Sequence, residues 1–215
     1  MVKLLVTTLG FDEKFAIRAA FSMGLSSKDK VLIITAPLTY QTERALISLK
    51  EFFLNSLKVS EFRVLEINPL DFFHSIVKII NILSNLKADE IVVNLSGGMR
   101  AIILETFLAL LALNKKVSFE IELENFSGKL SFTSNIIKAL YSRKKLNLLR
   151  YIGNDWITVS SVIKRVSPLM SKSTIYYKLK KLEEMGLIEV KGLKRRKVRL
   201  SSLGRLIVEI NKLMM

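Results

Sequence analysis

Short runs of Val, Ile and Leu alternate with helical patterns along the first 134 residues, and this alternation restricts the fold more than any other feature. Strand-like runs occur at Lys3–Thr8, Lys30–Ala36, Phe62–Asn68 and Glu90–Leu95. Each is short, rich in aliphatic residues and followed by a turn or helix-start signal. Helical patterns lie at Asp12–Met23, Gln41–Leu57, Leu70–Leu86 and Met99–Leu113. Asp12, Thr39 and Asn68 stand where helices are expected to start, and Asp71 suits the positive end of its helix dipole. Continuously apolar strands separated by helices predict a parallel sheet covered on both faces. Val117–Glu124 and Lys129–Ser134, joined across Asn125–Gly128, read as a hairpin at the sheet edge.

An open sheet of this class binds ligands beyond the carboxyl ends of its strands, where the strand order reverses. With the order 3-2-1-4, the reversal falls between the first and fourth strands. The loops there are Thr7–Asp12 (TTLGFD) and Asn94–Arg100 (NLSGGMR). Glycines in the second loop allow a tight turn and close approach of a ligand to the backbone. The helix that follows offers unpaired N–H groups and a positive dipole end, Ser96 a hydroxyl and Arg100 a guanidinium fork. The plainer alternative is an ordinary strand-to-helix turn that needs glycine. No Gly-x-Gly-x-x-Gly follows the first strand and no Gly-Lys-Ser/Thr occurs, which disfavours a dinucleotide cofactor and excludes a P-loop NTPase. The single histidine, His74, falls among Phe72, Phe73 and Ile76 and reads as a partly buried structural residue. With no cysteine and one histidine, the chain has no thiolate nucleophile and no His/Cys zinc set, and neither a cofactor nor a metal is expected.

The charge is divided unevenly. Residues 1–138 hold 16 Lys+Arg and 14 Asp+Glu, whereas residues 139–215 hold 18 and 5, so the halves carry +2 and +13 of the total +15. A nearly neutral domain beside a strongly basic one predicts a nucleic-acid-binding module. The boundaries expected are a first domain over 1–134, a linker over 135–140 and a second domain over 141–215. In the second domain, Leu146, Leu149 and Ile152 give one helical stripe and Val159, Val162, Ile163 and Val166 another, with Thr158 as its start. Ser171–Met185 gives a third helix, with Ile175, Leu179 and Leu182 on its core face. Leu187–Lys191 and Lys197–Leu200 form a hairpin, and three helices followed by a basic hairpin predict a winged helix-turn-helix. Lys172, Ser173, Thr174, Tyr177, Lys178 and Lys181 lie on the outer face of the third helix. Ser173, Thr174 and Tyr177 are suited to base edges or to positioning. Lys194, Arg195, Arg196, Lys197 and Arg199 on the wing are suited to phosphates. The final segment, Ser202–Met215, is an amphipathic helix that either caps the domain or forms a dimer contact.

Polar and charged residues follow Met1–Val6 at once, so no signal peptide is read there. The longest apolar stretch, Ala101–Leu113, falls short of the ~20 residues a membrane helix needs. Without disulfides the default compartment is the cytoplasm.

Ser171–Ile188 (SKSTIYYKLKKLEEMGLI) resembles the recognition helix of MarR/ArsR-type winged helices, and the two glycine-bearing loops resemble the ligand motifs of the CARF domain, the CRISPR-associated Rossmann fold. A CARF domain followed by a winged helix is the layout of the Csa-type transcriptional regulators of archaeal CRISPR loci. The resemblance implies a Rossmann-like sheet, a homodimer, and a pocket across the two-fold axis that receives a cyclic oligoadenylate such as cyclic tetra-adenylate. Thr8, Leu9, Gly10 and Phe11 match the first motif; Ser96, Gly97, Gly98, Met99 and Arg100 match the second. It implies double-stranded promoter or operator DNA as the second partner. Some CARF domains cleave the ring slowly. No general base stands out here and cleavage is not expected, but a CARF ring nuclease or effector remains the alternative.

Overall fold

The computed structural model describes residues 1–113, 115–142, 146–192 and 195–213, with the side chains of all but 138, 141 and 142. The chain divides into two compact units, Met1–Ser134 and Asn135–Met215. The first unit holds β1 (Lys3–Thr8), α1 (Lys14–Met23), β2 (Lys30–Thr35), α2 (Tyr40–Lys50), β3 (Glu61–Glu66), α3 (Phe72–Asn85), β4 (Glu90–Asn94), α4 (Arg100–Ala112), β5 (Val117–Glu122) and β6 (Lys129–Thr133). Its six strands run in the order β3-β2-β1-β4-β5-β6. All pairs are parallel except β5–β6, so this is the mostly parallel Rossmann-like α/β sheet expected from the alternation. The reversal of strand order lies between β1 and β4, where Thr7 pairs with Asn94.

Side-chain alternation on the strands divides the core in two. Leu4, Val6, Leu32, Ile34, Ile91 and Val93 face α3 and α4. Leu5, Val31 and Ile33 face the other way, against Ala16, Ala19 and Ala20 of α1 and Ala45, Leu46 and Leu49 of α2. Thr39 caps α2 through a reciprocal capping box with Thr42. The helix then continues as a π-helical stretch, Glu51–Ser56, which the helical periodicity does not distinguish from ordinary α-helix. Asn68 stands before α3 instead of capping it: its Oδ1 accepts from Leu70 N, and Asp71 occupies the cap position. His74 is exposed on α3, against the expectation of partial burial.

One buried acid stands out. Glu105, on α4, is fully buried, and neither carboxyl oxygen finds a partner among the described residues. Burial pushes its pKa above the ordinary value of 4.5. The folded chain therefore holds this proton more tightly than the unfolded chain. The stability that the neutral acid permits is fully present below the ordinary value and is lost as pH rises towards the raised one. The amide of Glu105→Gln stays neutral, so the variant should match wild type in acid and be increasingly more stable above it. Melts across about pH 4 to 8 check this; a difference independent of pH would be the contrary result.

The second unit begins with an unexpected helix. Residues 135–140, read from sequence as a linker, lie in α5 (Asn135–Ser142). The stripe of Leu146, Leu149 and Ile152 is carried in part by a five-residue 3-10 turn, Asn147–Tyr151, in place of a full α-helix. Then come β7 (Ile157–Thr158), α6 (Val159–Val166), α7 (Lys172–Glu184), β8 (Ile188–Lys191), β9 (Lys197–Leu200) and α8 (Ser202–Leu213). Thr158 and Ser171 cap α6 and α7, accepting from Ser161 N and Thr174 N respectively. β7-β9-β8 form an antiparallel sheet, so the helix-helix-wing order is that of a winged helix-turn-helix. α8 packs on its own unit: Ile207 is fully buried in the core with Ile175, Leu187 and Val198.

Candidate functional site

The loops after β1 and β4 interlock backbone to backbone. Thr8, buried at the end of β1, donates its hydroxyl hydrogen bond to the Gly97 carbonyl. A Cβ on Gly10 would lie 2.9 Å from Gly98 N and 3.1 Å from Gly98 Cα. Gly98 itself has φ +96°, a conformation that disfavours side chains. The glycines of both motifs are therefore used first to seat one loop on the other. Asn94, also buried, orients the second loop by accepting from Ser96 N at 3.1 Å. α4 then opens at Arg100 with Met99 as its N-cap; no side chain caps it and no acid stands in its first turn. Its first N–H groups and dipole end are the standard elements of an anion site.

Beside the interlocked loops lies a cleft of about 580 Å³. Leu9, Gly10, Phe11, Ser96, Gly97, Gly98 and Met99, all read from the motifs, lie on its wall. Two qualifications follow from burial and bonding. Leu9 is a core residue, 2% exposed, so it offers the cleft only its backbone. Ser96 Oγ already accepts from Glu122 N at 2.8 Å, leaving its own O–H to donate. Thr8 and Arg100 are not on the wall: Thr8 is beneath the loop contact, and Arg100 is exposed on the first turn of α4. The structure adds wall residues that the motifs did not indicate. They come from α1 (Phe15), the end of β2 and the loop after it (Thr35, Pro37, Thr39) and the β5–β6 tip (Glu124, Phe126), and Asp12 at the end of the first loop joins them. Because β2 neighbours β1, the rule that ligands sit beyond strand carboxyl ends was the signal that reached Thr35–Thr39. Nothing in the sequence pointed to the hairpin tip.

On the winged unit, Lys172, Ser173, Thr174, Tyr177 and Lys181 are exposed on α7, while Lys178 is half-buried at the edge of its core face. The Ser173 and Thr174 hydroxyls form a cluster with the capping Ser171, at 3.0 and 2.8 Å. Arg195, Arg196 and Lys197 are exposed at the wing, and Lys194 lies outside the described residues. Arg199 is committed elsewhere: it pairs with Glu189 and lies 4.7 Å from the Trp156 ring centroid, with Lys191 over the same ring at 4.1 Å. These contacts tie the wing stem to the segment before β7 and remove Arg199 from the free cations. Tyr176 and Lys180 were missed. They line a cleft of about 280 Å³ between α7 and the wing, together with Tyr177 and Arg196. At 100° per residue, Lys180 shares the outward face with Ser173 and Tyr177, so helical arithmetic was enough to find it.

Among the described residues, no group of acids and His74 is arranged to hold a metal ion, and no helix is long and apolar enough to cross a membrane. A switch-point cleft in a Rossmann-like sheet and a winged-helix unit on the same chain define a class of two-domain protein. The Csa3 CRISPR-associated Rossmann-like domain matches residues 3–133, and the chain belongs to that family. This bears out the resemblance carried by the two loops. A Saccharolobus solfataricus protein, "CRISPR locus-related putative DNA-binding protein Csa3", is 29% identical over 98% of this chain and 90% of its own length. Among solved structures, Enterococcus italicus Csm6 bound to cyclic hexa-2'-fluoro-hexa-dAMP aligns at 11% identity and TM-score 0.47, over 86% of this chain and 54% of that one. Can2 from Sulfobacillus thermosulfidooxidans in complex with cyclic tetra-adenylate aligns at 10% identity and TM-score 0.44, over 86% and 58%. This chain thus spans little more than half the length of either.

Proposed function

We propose that this CRISPR-associated protein is a homodimeric, DNA-binding transcription regulator whose first unit senses a cyclic oligoadenylate, with cyclic tetra-adenylate as the ligand of choice. The observation that carries the reading is the glycine-seated double loop beside the uncapped N-terminus of α4, on a chain whose second unit is a basic winged helix. Phosphates are held by backbone N–H groups of Gly10, Gly97 and Gly98 and by the first turn of α4. Ser96 donates its hydroxyl, Phe11 and Met99 flank the site, Leu9 contributes backbone, Thr8 holds the loops in register, and exposed Arg100 meets the ring beyond the cleft. A two-fold axis presents two such loops to a symmetric ring. The name of the Saccharolobus relative supports the DNA-binding half of the reading. On that half, Ser173, Thr174 and Tyr177 of α7 address the major groove. Lys172, Lys178, Lys181, Arg195, Arg196 and Lys197 address phosphates, with Lys194 assigned from sequence.

The test is a gel shift on the protein's own upstream DNA, with and without cyclic tetra-adenylate, across a salt series. Replacing Arg195 and Arg196 together with Ala should weaken binding on all sequences and reduce the salt slope by roughly 1.8, about 0.9 per lost phosphate contact. An unchanged slope removes the wing from the interface. We further read the first unit as a sensor, not an enzyme. Rapid multiple turnover of cyclic tetra-adenylate to linear products is the outcome that would reverse this.

A further inference from the structure

The wing that carries Arg195, Arg196 and Lys197 has little backbone pairing on one side. β7, the neighbour of β9 there, has only two residues, Ile157 and Thr158, opposite Val198 and Lys197. Just before it stands Trp156, the single tryptophan of the chain, half-buried. We propose that Trp156 is a positioning residue for DNA binding: its ring grips the stem of the wing through Lys191 and Arg199, and so fixes where Arg195 and Arg196 are presented to DNA phosphates. This rests on the reading of the second unit as a DNA-binding domain.

The two strands of the stem alternate in what they face. Val190, Val198 and Leu200 pack on the core; Glu189, Lys191, Lys197 and Arg199 lie on the other face. Continuing the β7–β9 register by one residue sets Trp156 beside Arg199, which is itself opposite Glu189 on β8. The Arg199 guanidinium lies 4.7 Å from the ring centroid and donates from Nε to Glu189 at 2.8 Å. Lys191 stands opposite Lys197, where like charges repel, and its ammonium lies over the ring at 4.1 Å from the centroid. One ring thereby holds a cation from each strand of the hairpin. The face of an indole attracts a cation more strongly than that of any other side chain.

The backbone around the ring is fixed on both sides. Leu200 N donates to Gly153 O and Val159 N to Arg196 O, each at 3.0 Å. The second bond anchors Arg196 to the first residue of α6, and Arg196 lies on the cleft between α7 and the wing. At the far end the turn is tight: Gly192 has φ +83°, and a Cβ there would lie 2.8 Å from Arg195 O. A hairpin closed tightly at its tip and clasped at its stem has few ways to bend, so the stem sets the direction of the tip. The cations are divided accordingly. Lys191 and Arg199 are engaged by the ring, whereas Arg195 and Arg196 are exposed.

The experiment measures binding of the full chain to a duplex of its own upstream DNA across a salt series, below any unfolding transition. Trp156→Leu keeps an apolar side chain without a ring face. It should weaken binding about five-fold and lower the salt slope by about 0.9 or more, the share of at least one phosphate contact. Trp156→Phe restores a ring face and should recover most of both. Added to Arg195→Ala and Arg196→Ala, Trp156→Leu should cost nothing further, because the ring acts through those two cations. Lys191→Gln, at an exposed position that does not threaten folding, should behave in the same way: a loss in the wild-type background and none once the two arginines are gone. A loss that persists there makes Lys191 a direct phosphate contact, or the ring a general support of the unit, and refutes the clamp. Equal binding by wild type and Trp156→Leu refutes it too, as does equal weakening by the Leu and Phe variants. Each of these results leaves the DNA-binding reading standing, whereas a wild type that binds no duplex refutes both.

Discussion

Replacing Gly10 with alanine is expected to remove binding of cyclic tetra-adenylate while leaving the winged unit folded. The added Cβ would lie 2.9 Å from Gly98 N and 3.1 Å from Gly98 Cα, both backbone atoms that cannot swing aside. A Cβ added to Gly98 would itself lie 3.3 Å from Leu9 O and 3.2 Å from Thr8 Cβ, so that side of Gly98 is closely packed as well. The loops must part, and the Thr8 hydroxyl loses its grip on the Gly97 carbonyl. Overpacking of this kind costs about 1–3 kcal/mol. On the proposed reading the N–H groups of Gly97 and Gly98 hold the ring's phosphate, so parting the loops lowers affinity as well as stability. A loss of at least ten-fold, about 1.4 kcal/mol, is the minimum expected. Thr8→Val removes the same tie without adding bulk and should give a weaker version of the same defect. Calorimetry with the ring, and melts that resolve the two units, check both variants. Wild-type affinity in Gly10→Ala would show that the loop contact does not shape the site.

The reason the first unit is legible in sequence is that its central strands are buried on both faces. Leu4, Leu5 and Val6, or Leu32, Ile33 and Ile34, are all fully buried, so neither face leaves room for a polar residue. An unbroken aliphatic run bounded by turn signals is the trace of that burial. The switch point followed from topology, and both of its loops lie where the order of strands places them. Side-chain roles were less legible. Leu9 and Thr8 sit in the motif yet are buried, since motif spacing says nothing of whether a side chain turns to the ligand or to the core. The hairpin-tip wall of the cleft was invisible because Glu124 is brought to it by tertiary folding from a position ~30 residues beyond the second loop.

The second unit shows the same division. α6 and α7 are marked by apolar residues at helical spacing and by hydroxyl caps, Thr158 and Ser171, both used as such. The stripe Leu146, Leu149, Ile152 has spacing three throughout. That period belongs as much to a 3-10 turn as to an α-helix, and the chain adopts the 3-10 form over Asn147–Tyr151. α5 escaped because NIIKALYS follows directly on β6 and was read as a boundary, although its apolar residues include Ala139, a fully buried member of the second core. Arg199 looked like one more wing cation. Only the fold brings it to Glu189 across the hairpin and to Trp156.

Gly204→Ala should unfold the second unit at temperatures where the first remains intact. Gly204 stands in the first turn of α8, and a Cβ there would collide with the carbonyl oxygen of Leu187. That carbonyl is not free to move: it accepts from Ser201 N at 3.1 Å, while the Leu187 side chain is fully buried. Ser201 also donates its hydroxyl to Gly186 O at 2.6 Å and accepts from Gly204 N at 3.0 Å. One methyl group therefore disrupts the junction where the end of α7, the start of β8 and the start of α8 meet. Relief requires α8 to lift away, which uncovers Ile207 and the residues it packs against in the core. A cost near the upper end of overpacking, about 3 kcal/mol, corresponds to a fall of roughly 12–24 °C for a unit of this size. Because the first unit has cores of its own, its transition should stay in place. Calorimetric melts resolve the two transitions, and DNA binding should disappear at the temperature where the lower one occurs. A variant that melts as wild type would mean that α8 is not seated on Leu187 in solution. Such a result would also reopen the alternative that this amphipathic helix serves a dimer contact instead of capping its own unit.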